Sequence, residues 1–277
     1  MSMFIQLFLT LFVVGGVITN DSSIEMKRFQ KREIVLFSLL SKDVTLHEPV
    51  IVDIAFDNIL SEPITINLGA DNKEGFRFSI KKPTSMKLDI PFRIKEGFAR
   101  SGRITLQPGQ TYRQRLIMNE WIIFSDLGKY ELSVHLVAPV STQKGQAVPV
   151  TRNFQAVLEV TPRDDKKLMS VCARFYGEFS ASKSYERASE AISVISYIQD
   201  SVAVQYLEKA LRSGKMVEPI AIGGLERIGT TEAVHALISA LSMQASDINT
   251  SVRSALIRLE LKSTDSVLKE KIKRVLN

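Results

Sequence analysis

Residues 224–241 read GLERIGTTEAVHALISAL and contain two apolar helical patterns separated by a short polar break. On both sides of the break, apolar residues recur at spacings of three and four, which places them on one face of a helix. The break itself contains Gly229 and Thr230. Glycine commonly ends a helix and threonine commonly begins one. The stretch therefore predicts a hairpin of two short helices.

Similar stretches flank this hairpin on both sides. Residues 194–211 read VISYIQDSVAVQYLEKAL, and a looser copy starts at Ala255 with ALIRLELKSTDS and ends in KIKRVLN. The copies follow one another at a spacing of roughly 30 residues, which is typical of repeat proteins. One helical hairpin cannot bury its apolar face alone, so we expect neighbouring hairpins to stack.

The motif of residues 224–241 resembles the HEAT family, specifically the short bacterial HEAT-like repeats related to those of phycobilisome lyases. In those repeats the first helix ends in A-L-x-x-I-G, and the second reads A-V-x-x-L-x-x-A-L after a polar turn. The flanking copies depart from the pattern, since Gln199 and Leu261 stand where the glycine is expected. The resemblance implies a short α-solenoid over residues 163–277. Lyase activity does not follow, because unrelated proteins share such repeats.

Upstream of Pro162 the dominant period of the sequence is two. Apolar residues alternate with polar ones over the segments 50–57, 64–68, 76–80, 130–136 and 154–160, and turn residues separate these segments. Alternation of this kind predicts strands with one buried and one exposed face. We therefore expect two antiparallel sheets packed face to face over residues 33–162.

The element Asp126-Leu127-Gly128-Lys129-Tyr130 resembles the tyrosine corner of immunoglobulin-like sandwiches, in which a tyrosine hydroxyl fixes the chain between two sheets. Residues 48–68 resemble the opening strands of bacterial immunoglobulin-like domains. The sequence thus predicts a multidomain all-β plus all-α chain, with an immunoglobulin-like antiparallel β-sandwich followed by a short HEAT-like α-solenoid. Trp121 is interpreted as a packing residue of the sandwich rather than a ligand-stacking one.

Residues 3–18 are almost wholly apolar, and no charged residue precedes Asp21. This segment is shorter than the roughly 20 residues of a spanning helix and has the length of a secretory signal. Residues 1–23 are therefore predicted to be a signal peptide that exports the protein. An uncleaved membrane anchor through residues 3–18 remains open, because no basic residue precedes the segment and residues 17–19 form a poor cleavage site.

The net charge of +6 raises the question of nucleic-acid binding. Nucleic-acid binders usually concentrate cations on one face or stripe, whereas here the charge is spread over both halves of the chain. The densest run is Lys269, Lys271, Lys273 and Arg274, which we interpret as a solvated helix face. The sequence therefore predicts no nucleic-acid partner.

The sequence shows no pattern of catalytic, cofactor-binding or metal-ligating residues. Cys172 is the single cysteine, and His47, His135 and His235 lie in distant segments without ligand spacing. Asp53 and Asp57 are four residues apart on one strand face, roughly 13 Å, which is too far for a retaining glycosidase pair. Gly223-Gly224 lacks a phosphate-binding lysine and is interpreted as a close approach of two helices. We predict neither an enzyme nor a bound cofactor.

These observations predict an exported, non-enzymatic protein of the bacterial cell envelope that binds or scaffolds a protein partner. The alternative is a membrane-tethered envelope component whose sandwich spaces the helices from the bilayer. The partner is expected on the second helices of the hairpins or on a sheet edge. The candidate contact residues are Gln205, Lys209, Thr231, Glu232, His235 and Ser239. Neither the partner nor the oligomeric state follows from the sequence.

Overall fold

The computed structural model describes residues 33–69, 72–84, 87–90, 102–242 and 246–277. The predicted signal segment, residues 1–23, lies outside these ranges. The strands come first along the chain: β1 Val35–Leu39, β2 Asp43–Thr45, β3 Ile51–Asp57, β4 Ile64–Asn67, β5 Phe76–Lys81, β6 Lys87–Ile90, β7 Arg103–Leu106, β8 Thr111–Ile117, β9 Gly128–Leu136, β10 Val140–Thr142 and β11 Asn153–Thr161.

These strands form three sheets, with the orders β1-β3-β8, β10-β4-β7 and β2-β11-β9-β5-β6. All pairings are antiparallel except that of β2 with β11, which is parallel. The apolar positions of the period-two pattern point into a common core, in which Phe56, Phe76 and Tyr130 are fully buried. The Tyr130 hydroxyl accepts a hydrogen bond from the Asp126 N–H at 3.0 Å and so fixes the turn before β9.

The helices follow from residue 165 onward: α1 Asp165–Ala181, α2 Tyr185–Ser196, α3 Val204–Leu211, α4 Glu218–Ile228, α5 Thr231–Ala240, α6 Ser246–Lys262 and α7 Ser266–Leu276. Their ends have local causes. The Asp164, Thr230 and Asp265 side chains accept backbone N–H groups at the starts of α1, α5 and α7. Gly229 ends α4 in the left-handed conformation, at a φ of 62°.

Two rows of helices build the carboxy-terminal part of the structure. One row is α2-α4-α6 and the other is α3-α5-α7, with each helix in contact with the next in its row. The rows meet at Gly224 in the middle of α4. A Cβ atom there would lie 2.8 Å from Leu207 Cδ1 and 2.9 Å from the Ser196 Cα. The close approach predicted for this glycine pair thus occurs at Gly224.

The first sheet also packs against the helices through its second face. Ile51 of β3 and Ile117 of β8 are each 3% exposed and belong to the core of the helical region, together with Leu168, Cys172 and Phe175 of α1. The neighbouring residues Val52 and Leu116 point the other way, into the core between the sheets. Strands β3 and β8 are therefore buried on both faces at these positions.

A charged cluster joins the same sheet to the first two helices. Arg115 of β8 contacts Asp53 of β3 at 3.0 Å, Glu178 of α1 at 3.3 Å and Glu190 of α2 at 3.3 Å. Its guanidinium carbon lies 5.2 Å from the centre of the Phe175 ring. One arginine thus links three elements that are distant in sequence.

The connection between β11 and α1 is held by Thr45 of β2. Its hydroxyl donates to the Pro162 carbonyl and accepts from the Asp164 N–H, both at 2.7 Å. Lys167 of α1 adds an ion pair to the buried Glu48 at 3.3 Å. The start of α1 is therefore fixed to the strands by both neutral and charged contacts.

The predicted fold class is wrong. The chain is mixed α/β, with sheets of three, three and five strands followed by helices, and residues 33–277 form one compact unit. The sandwich prediction assumed two antiparallel sheets, whereas the described strands form three sheets and one of their pairings is parallel. A free-standing HEAT-like α-solenoid is not observed, because α1 and α2 pack on the first sheet and share their core with Ile51 and Ile117.

Within the described ranges, no helix combines the length and the apolar character needed to cross a membrane.

Candidate functional site

The predicted contact residues lie on two neighbouring helices. Gln205 and Lys209 belong to α3, and Thr231, Glu232, His235 and Ser239 belong to α5. Residues four apart share one helix face, which applies to the α3 pair and to Thr231, His235 and Ser239 on α5. We call this region the α3–α5 surface and define it by these six residues together with Tyr206 and Arg212.

Lys209 of α3 lies beside two aromatic rings, Tyr176 of α1 and Tyr206 of α3. Its ammonium nitrogen lies 6.0 Å from the centre of the Tyr176 ring and 5.9 Å from that of Tyr206. The two rings contact each other at 5.6 Å between centroids. A cation this close to an aromatic face is attracted by the ring quadrupole, which restricts the lysine to a defined position. Gln205, one turn before Lys209, is exposed.

Ser239 is the residue that joins α5 to α3. Its hydroxyl accepts a hydrogen bond from Arg212 Nη2 at 2.7 Å and donates to Glu208 Oε1 at 3.5 Å. Arg212, the residue directly after α3, also forms an ion pair with Glu208 at 3.1 Å. The structure therefore brings Ser239 into contact with the helix that carries Gln205 and Lys209.

The start of α5 is exposed and points away from these contacts. Thr231 and Glu232 lie in the first turn and are both exposed. The Glu232 backbone N–H, and then the Thr230 side chain, lower the pKa of the Glu232 carboxyl. His235, one turn further, contacts Lys271 of α7 through Nε2. The surface thus extends from α3 across α5 to α7.

Sequence reasoning missed the residues that shape this surface: Tyr176, Tyr206, Glu208, Arg212 and Lys271. The contact of Tyr176 with Tyr206 depends on how α1 packs against α3, which no local pattern contains. The ion pair of Glu208 with Arg212 was predictable from the sequence, because a glutamate four residues before an arginine on a helix commonly forms such a pair. Lys271 belongs to the basic run of residues 269–274, whose pattern alone favours a solvated helix face.

The cysteine, aspartates and tryptophan that could support chemistry take part in packing or polar contacts within the fold. Cys172 is fully buried in α1, and burial raises the pKa of its thiol to about 12, so it stays protonated at neutral pH. Asp53 pairs with Arg115, and Asp57 accepts a hydrogen bond from the Thr111 hydroxyl at 2.5 Å. Trp121 packs on Phe78 at 4.7 Å between ring centroids. In the part of the chain that the structure describes, no three His, Cys, Asp or Glu residues are grouped to hold a metal ion.

Glu190 is a carboxyl whose surroundings raise its pKa. It is half-buried between α2 and the first sheet, and burial raises its pKa, an effect that the neighbouring Arg115 only partly opposes. The carboxylates Asp53 and Glu178 raise the pKa further because they repel a charge at this position. The cluster lies at the edge of the contact between the first sheet and the first two helices, where Arg115 is largely buried and its carboxylate partners are partly exposed.

No family model and no curated protein matches the chain. Among solved structures, a β-glucosidase from Listeria innocua in complex with isofagomine is 16% identical at a TM-score of 0.23, and the match covers 47% of this chain and 16% of that one. The sporulation control protein Spo0M from Bacillus subtilis is 13% identical at a TM-score of 0.27, with 53% of each chain covered. An ASH/PapD-like domain of human CEP192 is 9% identical at a TM-score of 0.28, with 56% of this chain and 100% of the domain covered. The chain thus spans less than a fifth of the length of the glucosidase, and similarities of this strength assign neither a family nor an activity to it.

Proposed function

We propose that this protein is a non-enzymatic binding or scaffolding protein that docks a protein partner on the α3–α5 surface. The observation that carries the proposal is the group formed by Lys209, Tyr206 and Tyr176 at the surface, next to Arg212. Tyrosine and arginine are enriched among the residues that dominate binding energies at protein interfaces. An aromatic and cationic group on a helix face is therefore suited to recognise a protein.

The support beneath these residues favours the same function. Leu207, Ala210 and Leu237 are fully buried under the surface, so the backbone of α3 and α5 is held by the core. Arg212 and Ser239 are fixed by hydrogen bonds across the two helices. Side chains that are ordered before binding lose less conformational entropy when the partner arrives.

The proposed location is the bacterial cell envelope, after export through the apolar segment at residues 3–18. Mass spectrometry of the mature amino terminus distinguishes the two forms of this proposal. Removal of residues up to about 19–23 supports free export, by the usual length of a secretory signal. An intact Met1 in the membrane fraction supports a tethered protein instead.

Site-specific photocrosslinking tests the binding surface. A photoreactive amino acid replaces Gln205 or His235 on the α3–α5 surface, and Lys144 or Thr151 in the strand region serves as control; all four are exposed. We expect one discrete crosslinked partner from the two helix positions and none from the control positions. Crosslinks to the same partner from the control positions alone would exclude the α3–α5 surface.

Substitution of Lys209 and Tyr206 tests how much this group contributes to binding. Lys209→Ala and Tyr206→Ala together remove the aromatic and cationic group, and we expect the crosslink at Gln205 to weaken at least roughly tenfold, as for hot-spot residues. The matched change Lys144→Ala should leave it unaltered. Substrate turnover by the wild-type protein would contradict a non-enzymatic role.

A further inference from the structure

The small sheet β10-β4-β7 carries a groove on its outer face, apart from the α3–α5 surface. The groove has a volume of about 420 Å³ and is lined by residues of all three strands and their connections, namely Pro63, Thr65, Arg103, Thr105, Gln107, Ser141, Thr142, Gln143 and Gly145. Most of these residues are exposed, and only Thr142 is buried. The walls of the groove are therefore accessible to a ligand.

A row of three hydroxyl groups crosses the middle of the groove. Ser141 of β10 lies opposite Thr65 of β4, and Thr65 lies opposite Thr105 of β7. Directly opposed residues of neighbouring strands point to the same face of a sheet. The Thr65 and Thr105 hydroxyl oxygens are 3.4 Å apart. On the other face of β4, Ile64 and Ile66 are fully buried, so the core holds this row in place.

Arg103 supplies the charge of the groove. It lies two residues before Thr105 and therefore on the same face of β7. The residues that line the groove include no aspartate or glutamate, and Arg103 forms no ion pair with any residue in the described ranges. An arginine without a carboxylate partner can bind an anion through charge-assisted hydrogen bonds.

Two side-chain amides lie at the end of the groove opposite Arg103. Strands β7 and β10 run in the same direction, because each is antiparallel to β4, so Gln107 and Gln143 follow the hydroxyl row on the same side. The Gln143 N–H donates to the Pro63 carbonyl at 3.1 Å, which fixes the start of the turn after β10. An amide both donates and accepts hydrogen bonds, as does a hydroxyl. The groove thus combines one cation with several neutral hydrogen-bonding groups.

We propose that this groove binds a polysaccharide that contains hexuronic acid, with one carboxylate on Arg103 and ring hydroxyl groups on Thr65, Thr105 and Ser141. Sugar hydroxyls donate and accept hydrogen bonds, as the neutral groups of the groove do. A single cation is too few for a nucleic acid, whose binding depends on many phosphate contacts. An open groove leaves room for a chain that continues past both ends, whereas small-molecule sites enclose most of their ligand. The site is separate from the proposed partner surface, since none of its lining residues belongs to α3 or α5.

Nuclear magnetic resonance titration of the full chain with cellobiouronic acid tests the proposal. We expect saturable shifts of backbone amide signals at residues 63–65, 103–107 and 141–145. Cellobiose, which carries a hydroxymethyl group in place of the carboxylate, should bind roughly threefold to fivefold more weakly, as for the loss of an exposed ion pair. Arg103→Gln should weaken cellobiouronic acid by a similar factor and leave cellobiose unchanged. Arg113→Gln, an equal loss of charge at an exposed position of β8, is the control and should bind both sugars normally.

The hydroxyl row is tested by a pair of double variants. Thr65→Val with Thr105→Val removes two hydroxyls, keeps the β-branched shape that suits strands, and should weaken both sugars at least roughly threefold. Thr65→Ser with Thr105→Ser keeps the hydroxyls and should bind both sugars normally.

Four results would overturn the proposal. They are the absence of saturable shifts at millimolar cellobiouronic acid, equal binding of the two sugars, full binding by Arg103→Gln or by the double valine variant, and shifts confined to residues outside the groove. Sodium sulfate is the remaining control. If sulfate alone produced the same shifts at the same concentration, Arg103 would be a general anion site, and the assignment to a polysaccharide would be wrong.

Discussion

Single residues hold the junction between strands and helices, and Thr45 is the clearest case. It is 1% exposed and makes two hydrogen bonds of 2.7 Å to the chain between β11 and α1. A hydroxyl is required because it must donate to the Pro162 carbonyl and accept from the Asp164 N–H at the same time. The position of α1 on the first sheet therefore depends on a small polar side chain in β2.

Thr45→Val removes the hydroxyl and keeps the shape of the side chain. We expect the free energy of unfolding to fall by about 1–2 kcal/mol, because two backbone groups lose their partner. Thr45→Ser keeps both hydrogen bonds and should cost less than about 1 kcal/mol for the lost methyl group. Urea denaturation measures both values, and an equal loss in the two variants would show that the hydroxyl is unimportant.

The raised pKa of Glu190 gives the stability a pH dependence of known sign. The folded carboxyl keeps its proton at pH values where the unfolded one, with an ordinary pKa of 4.5, has lost it. The folded state then binds more protons, so the stability from this group is lost as the pH rises above 4.5.

Glu190→Gln removes this titration. We expect the free energy of unfolding of the variant, relative to the wild type, to increase between pH 4 and pH 7. Denaturation at several pH values measures the difference, and Glu159→Gln, at an exposed position of β11, is the control for loss of one carboxyl. A difference that stays constant or decreases with pH would be inconsistent with a carboxyl whose pKa is raised by burial.

At the scale of elements, the two rows of helices are joined where α4 crosses α2 and α3. Gly224 allows this contact because any side chain there would overlap the Ser196 backbone and Leu207. Its neighbour Gly223 has space, since an added Cβ would lie 3.6 Å from the nearest atom, Arg227 Nη1. Close packing of the helices thus requires a glycine at position 224 but not at position 223.

This pair provides a matched test of helix packing. Gly224→Ala should reduce the free energy of unfolding by about 1–3 kcal/mol through overpacking. Gly223→Ala should raise it by up to about 1 kcal/mol, because alanine is the better helix former. Thermal or urea denaturation of both variants gives the comparison; similar effects of the two changes would show that α4 does not approach α2 and α3 this closely.

Most strands and helices were predictable from the sequence, whereas the way in which they pack together was not. The period-two segments became β3, β4, β5, β9 and β11, and the Gly229-Thr230 break separates α4 from α5. Two short stretches of sequence indicate that helices pack on the first sheet, although the surrounding alternation makes them easy to overlook. Val50-Ile51-Val52 and Leu116-Ile117-Met118 are continuous apolar runs. Such runs are typical of strands buried on both faces.

The candidate contact residues were predictable only as exposed helix positions. Thr231, Glu232 and His235 are exposed as expected, while Ser239 is half-buried under Arg212. The pairing of Ser239 with α3 and of His235 with α7 depends on how helices distant in sequence lie side by side. Local patterns do not contain this information.

For the whole molecule, Arg115 determines how the strands and helices are coupled. It is 18% exposed in its side chain and faces carboxylates from β3, α1 and α2. Without it, Asp53, Glu178 and Glu190 would face one another across the sheet–helix contact. The three carboxylates are partly exposed, so solvent screens part of the interaction, but the guanidinium that they share is largely buried and its removal costs more than that of a surface charge.

Arg115→Gln is therefore expected to lower the free energy of unfolding by about 1–2 kcal/mol at neutral pH, and by less in acid, where the carboxylates are protonated. Arg113→Gln makes the same change two residues earlier on β8, at an exposed position, and should alter stability by less than about 0.5 kcal/mol. Equal effects of the two substitutions on urea denaturation would contradict the role of Arg115.

Strands and helices are expected to unfold as one unit, and the sequence contains a specific probe for this behaviour. Trp121 is the single tryptophan and lies in the strand region, whereas the described helices of residues 165–276 determine the far-ultraviolet circular dichroism. Urea unfolding followed by both signals compares the two parts in one experiment. We predict that the two curves coincide in midpoint and slope. Two separate transitions, with the fluorescence change and the loss of helix at different urea concentrations, would show that strands and helices do not unfold as one unit.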